Sequence, residues 1–206
     1  MGSNYKISYT VDMVFCIDCT GSMDNILEIV KNNALNFYND VVQSMSAKGK
    51  NVDKLRVRIV AFRDYIADGD NAMMVTDFFT LPDDAVNFER CVRSLVAKGG
   101  GDEPEDGLEA LAYAMRSNWN TEGMKKRQVI VVWTDASTHP LGYGARMHNY
   151  PQGMAGSMQE LTAWWGDMLI KEQKDYYYLH QINQVGQIYP ITGIMLSIFL
   201  RKQEMD

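Results

Sequence analysis

The sequence predicts an α/β domain, doubly wound, with a mostly parallel central sheet flanked by helices. Two short, nearly continuous apolar runs, "TVDMVFCID" and "RQVIVVWTD", have the length and β-branched content of strands buried on both faces. Between such runs lie stretches whose apolar residues recur every three or four positions, the period of a helix with one buried side. Strands alternating with helices favour parallel pairing through crossover connections. At 206 residues and 46% apolar content, the chain is long and apolar enough for one larger domain with a real core.

Each element follows from its own pattern. "TVDMVFCID" is the first strand, ending at Asp18. In "MDNILEIVKNNALNFYNDVVQSM", the residues Met23, Leu27, Val30, Ala34, Phe37, Val41 and Met45 fall on one helical face. "KLRVRIVAF" alternates and is β-branched, hence a second strand, and "AMMVTDFFTL" reads as a third, at an edge. "PDDAVNFERCVRSLVA" opens with Pro82 and two acids, as a helix start should, with Val86, Cys91 and Leu95 on its apolar face. "GGGDEPED" is a loop and "GLEALAYAMRS" the next helix. "RQVIVVWTD" is the clearest buried strand, followed by a long loop, "ASTHPLGYGARMHNYPQGMAGS", of a length usually tied to function. "MQELTAWWGDMLIKEQ" is a further helix, with Trp164, Trp165, Met158, Leu161 and Met168 expected in the core.

The net charge of −6 argues against a nucleic-acid surface, and no Lys/Arg-rich run stands out. The first residues, "MGSNYKISYT", lack an apolar signal core, and "ITGIMLSIFL" is too short to span a membrane. Three cysteines, Cys16, Cys19 and Cys91, are too few and odd in number for a disulfide framework. A reducing cytoplasm is therefore the expected setting, with neither nucleic acid nor membrane as partner.

The nonapeptide "CIDCTGSMD" allows two chemistries. As C-x-x-C it suggests a redox pair or half a zinc site. A redox pair wants its first thiol at a helix N-terminus, whereas Cys16 falls inside a strand and Asp18 beside it disfavours a thiolate. Zinc wants a second Cys/His pair, and His139, His148 and His180 show no ligand spacing. As D-x-T-x-S, the residues Asp18, Thr20 and Ser22 offer one charged and two neutral oxygens that can converge in a turn. On this stretch alone, an ordinary helix cap by Thr20 or Ser22 is the competing reading. In parallel sheets ligands gather at the carboxyl ends of the strands, where Asp18, Asp102 and Asp135 all fall.

"VFCIDCTGSMD", "GGGDEPED" and "VIVVWTDA", in that order, resemble the three metal-site loops of the von Willebrand factor A-type (vWA) domain, over about residues 8 to 170. "FRDY" and the Gly-Gly-Gly-Asp form resemble the intracellular, bacterial side of the family more than the integrin side. The resemblance implies a metal ion-dependent adhesion site in which Asp18 lies in or near the metal shell. Thr20 and Ser22 would be hydroxyl ligands, Asp102 would take the position where adhesion-type members often have Thr, and Asp135 would act through water. An extra carboxylate at 102 would bind the ion more tightly but leave it less charge for a partner's acidic side chain.

The function expected is a non-enzymatic, metal-dependent protein-protein interaction module holding Mg²⁺ (or Mn²⁺ or Ca²⁺), its partner unidentified. The alternatives are a metal-assisted hydrolase or phosphotransfer enzyme, and a regulatory subunit whose metal only stiffens the loops. Glu103, Glu105 and Asp106 are expected to complement a helix dipole. Arg63 and Asp64 either line the same rim or form a local surface pair, and His139 is expected to have no special role.

By this resemblance, residues 1–173 are expected to form the vWA-like domain and 174–206 an atypical tail. The tail shifts abruptly to Tyr, Gln and Ile, so the family's last strand and helix are expected missing or altered. With codons chosen freely, a neighbouring reading frame gives a Leu-rich run and a turn resembling that strand, and the tail is read as a frameshifted segment beginning near Gln173. Such a change would leave a sheet edge open.

Overall fold

The computed structural model describes residues 8–122 and 125–165 and the backbone of 195–201. The first strand, β1 (Ser8–Asp18), runs up the middle of the sheet. A short 3-10 turn (Gly21–Asn25) leads into α1 (Leu27–Ala47) and back to β2 (Asn51–Phe62). After a single helical turn, α2 (Tyr65–Asp68), come two three-residue strands, β3 (Met73–Val75) and β4 (Phe79–Leu81). Then follow α3 (Ala85–Arg93), α4 (Gly107–Met115), β5 (Lys125–Thr134), α5 (Met158–Trp165) and β6 (Met195–Arg201).

The three long strands are parallel, in the order β2-β1-β5. Short antiparallel strands finish both edges: β3 and β4 on β2, and β6 on β5. The segment expected as one edge strand thus divides in two, because Thr76 Oγ1 accepts from the Ile59 N–H and turns the chain between the halves. The edge left open by the sequence reading is lined by the β6 backbone, from Gln128 opposite Arg201 to Thr134 opposite Met195. The rest of the 174–206 tail, and the helix expected to continue through 166–173, lie outside the described residues.

Strand pleating sends alternate residues to opposite faces, and here both faces are covered. On one, Val11, Met13, Phe15 and Ile17 of β1 pack with Val57 and Ile59 of β2, Leu27, Val30 and Ala34 of α1, and Phe88 and Val92 of α3. On the other, Val14 and Cys16 pack with Ala110 and Ala114 of α4 and Leu161 and Trp165 of α5. The α1 face is the expected one, with Phe37, Val41 and Met45 packed at its rim. Phe15 anchors the first core, its ring 5.0 Å from Trp133 and 5.5 Å from Phe37. Burying such a side chain contributes roughly 1.5–3 kcal/mol.

Two expected core residues face water instead. Val86 is 69% and Met158 51% exposed, each in the first turn of its helix and outside the stripe that meets the sheet. One charged pair lies inside. The Asp12 carboxylate, 1% exposed, accepts from Arg56 Nε at 2.8 Å and Arg56 Nη2 at 2.5 Å, and from the Asn120 N–H at 2.6 Å. It fixes β1, β2 and the loop before β5 together.

Candidate functional site

The carboxyl ends of β1 and β5 form a rim on which three loops meet. Asp18 ends β1 fully buried. Its Oδ1 accepts from the Thr20 N–H at 2.8 Å and Thr20 Oγ1 at 2.7 Å, and its Oδ2 accepts from Thr134 Oγ1 at 2.7 Å. Burial pushes this carboxyl above its usual range, against the pull of those hydrogen bonds, and the Asp135 charge adds to the rise. Ser22 Oγ donates to Asp135 Oδ1 at 2.9 Å and lies 3.1 Å from Thr20 Oγ1.

Asp18, Thr20, Ser22 and Asp135 thus form one chain of oxygens spaced 2.7, 3.1 and 2.9 Å. The chain has three oxygen–oxygen contacts and only two hydroxyl protons. With Thr20 donating to Asp18 and Ser22 to Asp135, the central contact sets two lone pairs against each other. The fifth expected ligand, Asp102, makes no hydrogen bond to this chain. Its Oδ1 lies 3.4 Å from His139 Nε2, and with Asp64 and His139 it forms a separate group of donor atoms within 4.8 Å of one another.

The glycines shape the second loop. Gly99 and Gly100 hold φ of +82° and +83°, a region disfavoured for other residues. A Cβ on Gly99 would sit 1.7 Å from Asp68 Oδ1, and one on Gly100 2.9 Å from Glu105 Oε1 and 3.2 Å from the Thr20 Cβ. The loop is therefore pressed against the first, where the Gly21 N–H donates to the Gly99 carbonyl at 3.0 Å and the Lys98 N–H to that of Cys19 at 2.9 Å. Arg63 ties three loops together. It donates to the carbonyls of Cys19, Asn71 and Val96, each at 2.8 Å. Neither a surface ion pair nor a ligand-facing charge, it is a strut beneath the rim.

The acids after the glycines are more deeply set than their place at a helix start suggests. Glu105 is 4% exposed, its Oε2 has no hydrogen-bond partner among the described residues, and burial together with the Asp18 charge pushes its carboxyl up to about 8. Asp106 is fully buried; its Oδ2 accepts from the Tyr65 N–H at 2.6 Å and its Oδ1 lies 3.1 Å from His139 Nδ1. Burial raises it to about 6. Neither is the solvated dipole partner expected. His139 is 2% exposed, and Tyr143 stacks on its ring at 3.9 Å. Sequence reasoning undervalued Glu105 and His139. The signal available was the length of the loop after β5, which returns to lie on the glycine loop through the Glu105–Thr138 bridge.

The thiols take no part. Cys16 and Cys19 are buried in different cores, and burial raises both, Cys19 to about 12. A redox pair needs accessible thiolates, which these are not.

A parallel-cored sheet between two helical layers, with acidic loops gathered at the strand carboxyl ends, defines an α/β domain of the von Willebrand factor A class. The chain belongs to the von Willebrand factor A domain family, whose model matches residues 12–141. It is similar to the alpha-protein kinase vwkA of Dictyostelium discoideum, at 25% identity over 187 residues, covering 89% of this chain but only 27% of that protein. It also resembles the pilus adhesin SpaC of Lactobacillus rhamnosus GG, with 19% identity and a TM-score of 0.41 over 60% of this chain and 15% of the adhesin. Among the described residues, no helix is long and apolar enough to cross a membrane.

Proposed function

We propose that the domain is a protein-interaction module whose rim holds one divalent cation, Mg²⁺ in the first instance, and uses it to engage a partner. The observation that carries this is the proton shortfall in the Asp18–Thr20–Ser22–Asp135 chain. A cation drawing on those oxygens removes the facing lone pairs. The spacings of 2.7, 3.1 and 2.9 Å are close to the separation of about 2.9 Å between neighbouring ligands of an octahedral Mg²⁺ with bonds of 2.0–2.1 Å.

In this reading Asp18 supplies charge, held by Thr134 and the Thr20 N–H. Thr20 and Ser22 supply neutral oxygens, and Asp135 orients Ser22. Asp102 faces His139, so fewer carboxylates offset the ion than the sequence implied. When bound, the ion supplies an open position for an oxygen of the partner, and an acidic side chain is the chemistry that suits it.

Thermal melting with and without Mg²⁺ or Mn²⁺ tests the site. The wild type gains stability with added metal and Asp18→Ala barely responds; equal responses in both refute the assignment. Pull-downs with and without EDTA test the interaction: a partner held equally under chelation leaves the metal a stiffening role only. The kinase name belongs to a protein of which this chain spans about a quarter. Metal-dependent turnover of a phosphoester by this chain would replace the binding reading with an enzymatic one.

A further inference from the structure

We propose that Asp64, Asp102 and His139 form a second cation site, suited to a borderline transition-metal ion such as Zn²⁺ and distinct from the oxygen cradle at Asp18. The three residues come from three loops: Asp64 follows β2, Asp102 lies in the glycine loop and His139 in the loop after β5. One ligand atom from each lies within 4.8 Å of the others.

The second observation is the imidazole itself. His139 is 2% exposed, and among the described residues its Nε2 has no hydrogen-bond partner. Its other nitrogen, Nδ1, is 3.1 Å from Asp106 Oδ1, and a carboxylate there accepts a hydrogen bond from Nδ1–H, which keeps the proton on that nitrogen. Nε2 then carries a lone pair, and Asp102 Oδ1 lies 3.4 Å from it. A buried nitrogen lone pair beside a carboxylate oxygen is unfavourable unless a proton or a cation lies between them. Ligands on a tetrahedral Zn²⁺ with bonds of 2.0–2.1 Å stand about 3.4 Å apart, which matches this pair.

The surroundings suit a metal centre. A metal-binding histidine ordinarily gives its other N–H to a carboxylate, which fixes ring and tautomer, and Asp106 occupies that position. Tyr143 stacks on the ring and holds its plane. Asp64 uses Oδ1 to accept from the Ile66 and Ala67 N–H groups, at 2.5 and 3.0 Å, and among the described residues its Oδ2 accepts none. The Asp102 side chain is 52% exposed, so solvent reaches the site and a fourth position is open. The imidazole separates this site from the all-oxygen cradle: nitrogen with carboxylates favours Zn²⁺, hard oxygens alone favour Mg²⁺. The proposal does not depend on the cradle holding Mg²⁺.

Calorimetric titration of the metal-stripped full chain with Zn²⁺, in saturating Mg²⁺, tests it. The wild type takes up one Zn²⁺. Asp102→Asn and His139→Gln lose that binding, while Asp18→Ala keeps it. Asp106→Asn, which only orients the imidazole, weakens it about 10–100-fold. The exposed Asp102 makes Asp102→Asn the deciding variant should His139→Gln fail to fold. No Zn²⁺ uptake by the wild type overturns the proposal. So does uptake unchanged in Asp102→Asn, and so does uptake lost only in Asp18→Ala, which would place the ion in the cradle.

Discussion

Truncating Arg63 should loosen the rim without touching any proposed ligand. Its guanidinium donates to the Cys19, Asn71 and Val96 carbonyls, the first partly buried and the other two exposed. A hydrogen bond from a charged group contributes about 1.5–3 kcal/mol where water is excluded, and roughly 0.5 kcal/mol where water can replace it. Arg63→Ala should therefore cost about 3 kcal/mol, a fall in Tm of about 6–12 °C for a domain of this size. Because the Cys19 carbonyl lies between Asp18 and Thr20 in the chain, the variant should also bind Mg²⁺ more weakly. Arg63→Lys should recover only part of the loss, since an ammonium cannot span three separated carbonyls. Urea and thermal denaturation in EDTA give the first quantity, and the Mg²⁺-induced shift gives the second. A loss under about 1 kcal/mol would mean that water fully replaces the guanidinium, and the strut would have no energetic role.

Three further outcomes follow from the same geometry. Glu105 and Asp106 are raised to about 8 and about 6, from ordinary values of 4.5 and 3.8, so the folded state keeps protons that the unfolded chain has released. Stability in EDTA should therefore fall as pH rises from the ordinary carboxylate range through 6 towards 8, and Glu105→Gln should flatten the upper part of that curve in urea midpoints. Gly99→Ala, at φ +82° with a Cβ 1.7 Å from Asp68 Oδ1, should cost more than Gly142→Ala, at φ +85° in open space; about 3 against about 1 kcal/mol by denaturation is expected. Thiol labelling of the native chain should reach the half-buried Cys91 slowly and the buried Cys16 and Cys19 only after denaturation; fast native labelling of Cys19 would contradict its burial.

The strands were legible because a run such as "VIVVW" has few other places to go, and Asp18 and Asp135 because a charge ending such a run must lie at a rim. The α1 stripe was legible for the same reason of period. Helix ends were less so: Val86 and Met158 sit in first turns, where one step of rotation decides between core and water. The partner of Asp102 was not legible. It depends on where a long loop after β5 comes to rest, and nothing local to "GGGDEPED" encodes that His139 will lie there. The burial of Glu105 and Asp106 was hidden likewise, since acids opening a helix are ordinarily solvated.

The central strand is apolar on both sides, which removes the usual safeguard on its alignment. In a half-wetted strand, sliding by one residue drags oily groups into water and is forbidden on that ground alone. Here a slipped β1 would still present Val, Met, Phe and Ile to one layer or the other. The salt link from Asp12 to Arg56 and Asn120 has no such latitude, because a one-step slide would strand a carboxylate among hydrocarbon. Its contribution is therefore to uniqueness more than to strength, as a locating dowel that admits a single seating of the sheet and so places Asp18 at the height of the rim.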